Sequence, residues 1–416
     1  MQNVNRFTES AGGSADRRVL IYSHDSFGLG HLRRCLAIAH SLVARHKKLS
    51  VLILSGSPII GSFDFRARVD FVRVPGVIKL RNGEYTSLSL HISVEQTLEL
   101  RASIIRHTAL AFAPDIFIVD KEPLGLEGEV ADTLGMLKDR GTSLVLGLRD
   151  VMDEPQLLAP EWKRKNVLPA LEHLYDQIWI YGLRHLWDPL SGLDLPVTVH
   201  NKAVFTGYLR RKLPRQRVAS PADGLVEGPF LLVTPGGGGD GGPMIDWVLS
   251  AYETDPTLPY GAMIVFGPFL PPELQIDFRQ RAAKLTNVRT LTFDSHVEIL
   301  MAGAAGVVAM GGYNTFCEIL SFDKPAVIVP RVAPRREQLL RAERAQELGL
   351  ARMLVDDGER APARMAAAIR DLADQPSPSH ATSPALLDGL SNICDMVGDI
   401  LAPRVRPKAQ FARRQA

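Results

Sequence analysis

The stretch from Gly306 to Gln338, GVVAMGGYNTFCEILSFDKPAVIVPRVAPRREQ, constrains the fold of this chain more than any other. Its apolar runs Val307–Met310 and Ala326–Val329 are short and β-branched, as strands of a parallel sheet covered on both faces tend to be. Between them Gly311-Gly312 opens a short helix whose first turn carries Asn314 and Thr315. Such a turn offers unpaired backbone N–H groups and the positive end of a helix dipole, which suits a phosphate. Glu318 lies close behind, and Glu337-Gln338 follow the second strand at the same end of the sheet. One site can therefore hold a diphosphate, a ribose and a sugar.

The rest of the chain repeats this alternation, which predicts α/β architecture with parallel sheets. Strands are expected at Val19–Ser23, Val51–Ser55, Asp70–Val74, Ile116–Asp120, Leu144–Gly147 and Gln177–Tyr181, with a last one ending around Val204–Tyr208. Helices are expected at His31–Arg45, Glu95–Phe112, Gly125–Lys138 and Pro169–Leu174. After a basic, Pro-containing stretch the pattern restarts, with strands at Phe230–Thr234, Ala262–Phe266 and Val288–Phe293. Helices follow around Met244–Tyr252, Glu273–Leu285, Gln338–Leu348, Arg360–Ala373 and Leu386–Leu401. At 416 residues two domains are the natural division. The expected layout is a tail at 1–16, an N-terminal Rossmann-like domain at 17–208 and a linker at 209–228. A C-terminal Rossmann-like domain follows at 229–375. Residues 376–402 form a linker and a helix returning to the N-terminal domain, before a basic tail at 403–416.

Lys and Arg total 48 against 46 for Asp and Glu, so no nucleic-acid footprint is implied. Cys35, Cys317 and Cys394 are far apart, without metal-ligand spacing, and argue for a reducing cytoplasm. No apolar run approaches the roughly 18 residues of a membrane span.

Three motifs carry chemistry. In HDSFGLGHLRRCLAIAHSL, Gly28 and Gly30 permit a tight turn, and His31 starts a helix whose buried stripe is Cys35, Ile38, Ala39 and Leu42. A helix N-terminus favours neutral imidazole, which can act as a general base on a hydroxyl; the motif also fits a simple βα turn. In the second, PGGGGDGG, Gly236, Gly237 and Gly238 fit close approach of backbone to a ligand, or a mobile loop. No Lys-Ser or Lys-Thr follows, so it is not the P-loop signature. In the third, Gly311 to Gln338, Glu318 is flanked by apolar residues at a depth suited to ribose hydroxyls. Arg331, Arg335 and Arg336 offer charge to a diphosphate, or form a solvated basic loop. Asp120, Glu122, Arg149 and Asp150 end strands and fit acceptor contacts, ion pairs or helix caps equally.

Taken in order, GLGH, the mid-chain glycine loop and GGYNTFCEIL…KPAVIVPR…EQ resemble the family 28 glycosyltransferases of the GT-B fold, over roughly residues 17 to 375. The resemblance implies two Rossmann-like domains facing each other across a cleft. It implies Glu318 as ribose ligand, Gly311, Gly312, Asn314 and Thr315 near the diphosphate, and Glu337 and Gln338 on the donor sugar. The backbone of Thr292-Phe293-Asp294 would meet the base, and His31 matches the histidine of the N-terminal glycine loop. The peptidoglycan member has two glutamines where this chain has Glu337-Gln338, has more glycines in its N-terminal loop, and docks on membranes through an apolar patch without counterpart here. A group of bacterial glycosyltransferases of unassigned acceptor is more similar. GLGHLRRCLAIA also resembles a nucleotide-sugar hydrolase of the pseudaminic acid pathway, in which the corresponding histidine activates water.

The expectation is a metal-independent hexosyltransferase using an NDP-sugar, UDP-sugar first, and an unidentified acceptor, with His31 as base. It would be cytoplasmic or peripheral to the inner membrane face, with no nucleic acid bound. An NDP-sugar hydrolase or 2-epimerase on the same fold is the alternative, and a non-catalytic nucleotide-sugar binder a further one.

Overall fold

The computed structural model describes residues 16–24, 29–79, 85–214, 228–381 and 384–402. The tail at 1–16, apart from Asp16, lies outside the described residues, as do Gly28, positions 215–227 of the expected linker and the basic tail at 403–416.

The first half builds a sheet from β1 (Arg17–Ser23), β2 (Leu49–Ser55), β3 (Val69–Arg73), β6 (Ile116–Asp120), β7 (Ser143–Arg149), β8 (Gln177–Tyr181) and β9 (Ala203–Phe205). Between β3 and β6 come two short antiparallel strands, β4 (Val77–Lys79) and β5 (Tyr85–Ser87), unannounced by any apolar run. The large sheet has the order β3-β2-β1-β6-β7-β8-β9 and is parallel throughout. The second half repeats the scheme with β10 (Phe230–Thr234), β11 (Gly261–Val265), β12 (Val288–Leu291), β13 (Gly306–Ala309), β14 (Ala326–Ile328) and β15 (Arg352–Met353). Its order is β12-β11-β10-β13-β14-β15, again parallel. In each sheet the chain runs outward on one side and then returns to the other side of the first strand. That reversal leaves a crevice between the carboxyl ends of β1 and β6, and another between those of β10 and β13.

Both sheets are apolar on both faces, as helix-covered parallel strands require. Leu32, Cys35, Ile38, Ala39 and Leu42 of the helix Gly30–Arg45 pack on Val19, Ile21 and Ile53, in a cluster that continues through Tyr208 to Phe316 and Ile328. The two halves thus share a core.

Tertiary demands override local pattern at one helix. Instead of one helix over Gly125–Lys138, the chain makes a 3-10 turn at Leu126–Gly128, with Glu127 at φ 47°, before the helix Ala131–Asp139. The Tyr22 hydroxyl accepts from the Leu126 N–H at 3.0 Å and donates to Glu129 at 2.6 Å. Arg101 holds that same carboxylate through two bonds of 2.6 Å. This buried network needs the backbone bent where a continuous helix would run straight. A further helix, Pro155–Arg164, carries Pro160 inside it.

The chain crosses between the domains twice, at Tyr208-Leu209 and around Leu386–Gly389, and the crossings are bonded together. The Tyr208 N–H donates to the Leu386 carbonyl at 2.8 Å, and the Gly389 N–H to the Tyr208 carbonyl at 3.1 Å. A Cβ on Gly389 would lie 2.3 Å from the Gly207 oxygen, and Gly207 has φ +87°, so both positions require glycine. From there the helix Gly389–Leu401 lies along Gly30–Arg45, with the His46 ring Nε2 at 2.9 Å from the Cys394 carbonyl and Arg45 at 3.0 Å from Asp395.

Candidate active site

His31 lies in the first turn of the helix Gly30–Arg45, at the β1/β6 crevice. Its Nδ1 sits 2.5 Å from Oδ2 of Asp120, the last residue of β6. A carboxylate in that position selects the tautomer with the proton on Nδ1. Nε2 is then a free acceptor, with no hydrogen-bond partner among the described residues, on a side chain 15% exposed. Asp120 is also gripped by Arg34, with Nε at 2.8 Å from Oδ1 and Nη2 at 2.6 Å from Oδ2. Burial pushes the His31 imidazole down to about 4; Asp120 pulls the other way, and Arg34 and Lys121 reinforce the fall. Burial would raise Asp120, but Arg34 and His31 hold it well below the usual carboxylate range. The ring is therefore neutral at pH 7.

The facing wall is built at the β10/β13 crevice. The loop Gly236–Gly238 follows β10, and the helix Tyr313–Ser321 starts at Gly312, which has no side chain to cap it. Its first backbone N–H groups and positive end are left for a ligand. Gly311 has φ +75°, and a Cβ there would fall 2.6 Å from Ile328, so only glycine lets the loop close over β14. Thr315 is buried at the helix start, near Gly236. Arg331 spans Asp240 of the glycine loop, at 2.8 Å, and Glu337, and its N–H donates to the Gln338 side chain at 2.9 Å.

Several buried polar atoms lack a partner among the described residues: Ser23 Oγ, His24 Nδ1, Arg149 Nε, the Tyr181 hydroxyl and Glu337 Oε2. They lie at or just beyond the ends of β1, β7 and β8 and, for Glu337, at the start of the helix Glu337–Glu347. Folded proteins satisfy nearly all such atoms, so a concentration of them marks where a ligand supplies the missing bonds. Burial pushes the Arg149 guanidinium down to about 10 despite Glu337, with Arg34 and Arg341 as like-charged neighbours.

The walls touch. Asn314 donates from Nδ2 to the Gly30 carbonyl at 2.8 Å and accepts at Oδ1 from Arg211 at 2.7 Å. Only its backbone, not its side chain, is available to a diphosphate. Glu318, 1% exposed, ion-pairs with Arg33 at 2.6 Å, so an N-terminal arginine occupies the carboxylate expected to meet ribose. The Phe293 ring packs edge-on against Phe63, with centroids 6.4 Å apart. Deeper in, Arg341 forks onto Asp150 at 2.8 and 2.6 Å, and the Tyr208 hydroxyl donates to the same carboxylate at 2.9 Å.

The structure thus gathers His31, Gly30 and Asp120 on one wall, and Gly236 to Gly238, Gly311, Gly312, Thr315, Arg331, Glu337 and Gln338 on the other. Glu122 is held instead by Lys121 at 3.1 Å and Lys165 at 2.9 Å, an ion-pair role. Arg335 and Arg336, partly exposed, pair across the cleft with Glu161 at 2.8 Å and Glu154 at 2.5 Å. Sequence reasoning missed Arg33, Arg34, Arg341 and His24. For Arg34 a signal existed, since it falls three residues after His31 beside the stripe of Cys35, Ile38 and Leu42, where a charge must be partnered.

Residues 238–393 match the glycosyltransferase family 28 C-terminal domain. An uncharacterized glycosyltransferase of Methanosarcina acetivorans is 26% identical over 345 residues, covering 79% of this chain and 83% of that protein. Among solved structures, the glycosyltransferase VinC in complex with DTDP superposes with a TM-score of 0.59 at 17% identity, covering 92% of this chain and 98% of that one. MurG of Acinetobacter baumannii does so with a TM-score of 0.55 at 12% identity, over 92% and 99%. The structural likenesses bear on the fold, two Rossmann-like domains facing across a cleft.

Proposed function

We propose that this chain, a glycosyltransferase of the GT-B fold with a family 28-like C-terminal half, moves a hexosyl group from an NDP-sugar to an acceptor hydroxyl. The observation that carries this reading is His31, its Nδ1 on Asp120 and its Nε2 without a hydrogen-bond partner among the described residues. The acceptor hydroxyl approaches Nε2, which takes its proton as the oxygen attacks the anomeric carbon. The bond from that carbon to the diphosphate oxygen breaks, and the nucleoside diphosphate leaves with the electron pair. Asp120 stabilises the imidazolium so formed. A single displacement of this kind inverts the anomeric centre.

Charge developing on the leaving diphosphate is met by the glycine-loop N–H groups and the uncapped helix at Gly312. This reading calls for no metal, so turnover should survive a chelator. UDP is the first candidate donor nucleotide from the family 28 likeness; the structural neighbour solved with DTDP supports a nucleoside diphosphate more generally. The unpartnered Arg149 Nε and Glu337 Oε2 suit a sugar hydroxyl, which accepts from one and donates to the other. No described helix is long and apolar enough to cross a membrane. Cys35, Cys317 and Cys394 form no disulfide, which fits a reducing cytoplasm.

Thermal shift against UDP, dTDP, GDP and their sugars tests the donor half. A cognate nucleotide at 100 times its Kd adds about 2.7 kcal/mol and raises the Tm. A flat response to every nucleotide would remove the donor site. Mass spectrometry of the product with the stabilising donor separates transfer, which leaves a glycosylated acceptor, from hydrolysis, which leaves free sugar.

A further inference from the structure

We propose that Arg34 is the positioning residue of the His31–Asp120 pair, holding the carboxylate so that its Oδ2 can only face Nδ1. The inference rests on His31 being the base, and adds what keeps it in its working tautomer.

Asp120 could by itself rotate about its last side-chain torsion and offer either oxygen, at any angle, to the ring. Arg34 removes that freedom. Its planar guanidinium takes both oxygens at once, Nε on Oδ1 and Nη2 on Oδ2, a geometry that sets the carboxylate plane. The same Nη2 lies 3.0 Å from His31 Nδ1, so the three groups form one closed triangle around Oδ2. Being three residues apart on one helix, Arg34 and His31 share a face, and the triangle follows from helical spacing.

Arg34 is itself fixed. It is 1% exposed, with its guanidinium carbon 5.5 Å from the centre of the Tyr313 ring and 6.0 Å from that of Tyr181. Tyr313 belongs to the C-terminal domain and directly follows Gly311-Gly312, so the clamp is braced by the wall that would receive the diphosphate. The charged or titratable groups around the triangle are Lys121 beyond β6, His24 beyond β1 with its ring 5.5 Å from that of His31, Arg149 at the end of β7, Tyr181, Tyr313 and Cys35. None of them reaches both Asp120 oxygens. The positive charge of Arg34 beside Asp120 also opposes protonation of the imidazole.

The test reads His31 directly and needs neither donor nor acceptor, so it stands apart from whether the chain transfers sugar. Long-range proton–nitrogen spectra of the histidine-labelled full chain report the tautomer and titration midpoint of each imidazole, with His31→Ala assigning the signal. In the unaltered chain His31 should be the Nδ1–H tautomer. In Arg34→Gln the tautomers should mix and the midpoint rise by about one unit or more, since a neighbouring cation is lost while Asp120 stays. Arg34→Lys, the variant to use if Arg34→Gln does not fold, keeps the charge but not the fork. It should mix the tautomers while moving the midpoint by less than half of the Arg34→Gln shift, or of one unit. In an Asp120→Asn background the arginine change should do little more. A pure Nδ1–H tautomer retained in either folded Arg34 variant overturns the proposal.

Discussion

Two arginine–aspartate forks lie near one another with almost the same geometry. Arg34 takes Asp120 at 2.8 and 2.6 Å, and Arg341 takes Asp150 at 2.8 and 2.6 Å, with all four side chains at most 2% exposed. Asp120 ends β6 and Asp150 directly follows its neighbour β7, and each arginine lies over the Tyr313 ring, at 5.5 and 5.9 Å. They differ in connection and in the third partner. Arg34 and Asp120 both belong to the N-terminal domain, and their third partner is an imidazole with a nitrogen left over. Arg341 reaches Asp150 from the other domain, and the third partner is the Tyr208 phenol, whose ring packs on Tyr313 and Phe316. If His31 is the base, as proposed, the same fork serves proton transfer in one place and domain assembly in the other, and the group beside the carboxylate decides which.

The sharpest way to break this comparison is to remove the imidazole. His31→Ala should lower kcat by about 10³-fold while the stabilisation given by the cognate nucleotide stays. Equal loss of both, measured by turnover and thermal shift, would make His31 a structural residue and the two forks alike. Removing the other aspartate should do the opposite. Asp150→Ala leaves Arg341 buried and unpaired and should cost about 3–5 kcal/mol in denaturant unfolding, with the His31 tautomer unchanged. Asp150→Ala combined with Arg341→Met should recover part of that loss.

Acid separates the forks next. Burial depresses His31 to about 4 in the folded chain, against about 6.5 for an exposed histidine. The unfolded chain therefore binds the extra proton first, so this contribution is whole above pH 6.5 and is lost as pH falls toward 4. For His31 it is on the order of 3 kcal/mol. His24, held well below its usual value, and His40, lowered to about 4, act in the same direction. His31→Gln should flatten the stability curve between pH 6.5 and 4, whereas Tyr208→Phe should not. Tyr208→Phe removes one hydrogen bond to Asp150 and should cost only about 1 kcal/mol, the smallest effect of the series.

Buried parallel strands were readable because nothing but apolar, β-branched runs can fill both faces: Ile116–Asp120, Gln177–Tyr181 and Phe230–Thr234 coincide with observed strands residue for residue. The edge strand Arg352–Met353, partly exposed and two residues long, had no such obligation. In the candidate site the glycines were legible because steric need leaves a mark in sequence. Arg33 was not, because it reads as surface until its partner, 285 positions away, is known; the stripe beside Arg34 marks that residue as buried, but not its partner 86 positions away. Charge pairing across a cleft is a property of the assembled fold, and a single sequence does not display it.

The paired crossings at Tyr208-Leu209 and Leu386–Gly389 limit how the cleft can move. Two covalent passages bonded to each other by the Tyr208 and Gly389 amides act as one seam, not as two independent tethers. Sliding or twisting one lobe past the other at that place would have to shear those hydrogen bonds. Any widening of the cleft is smallest beside Gly207 and grows with distance from it. Opening between His31 and the helix at Gly312 would also have to break the Asn314–Gly30 and Arg33–Glu318 contacts that join the two helices directly.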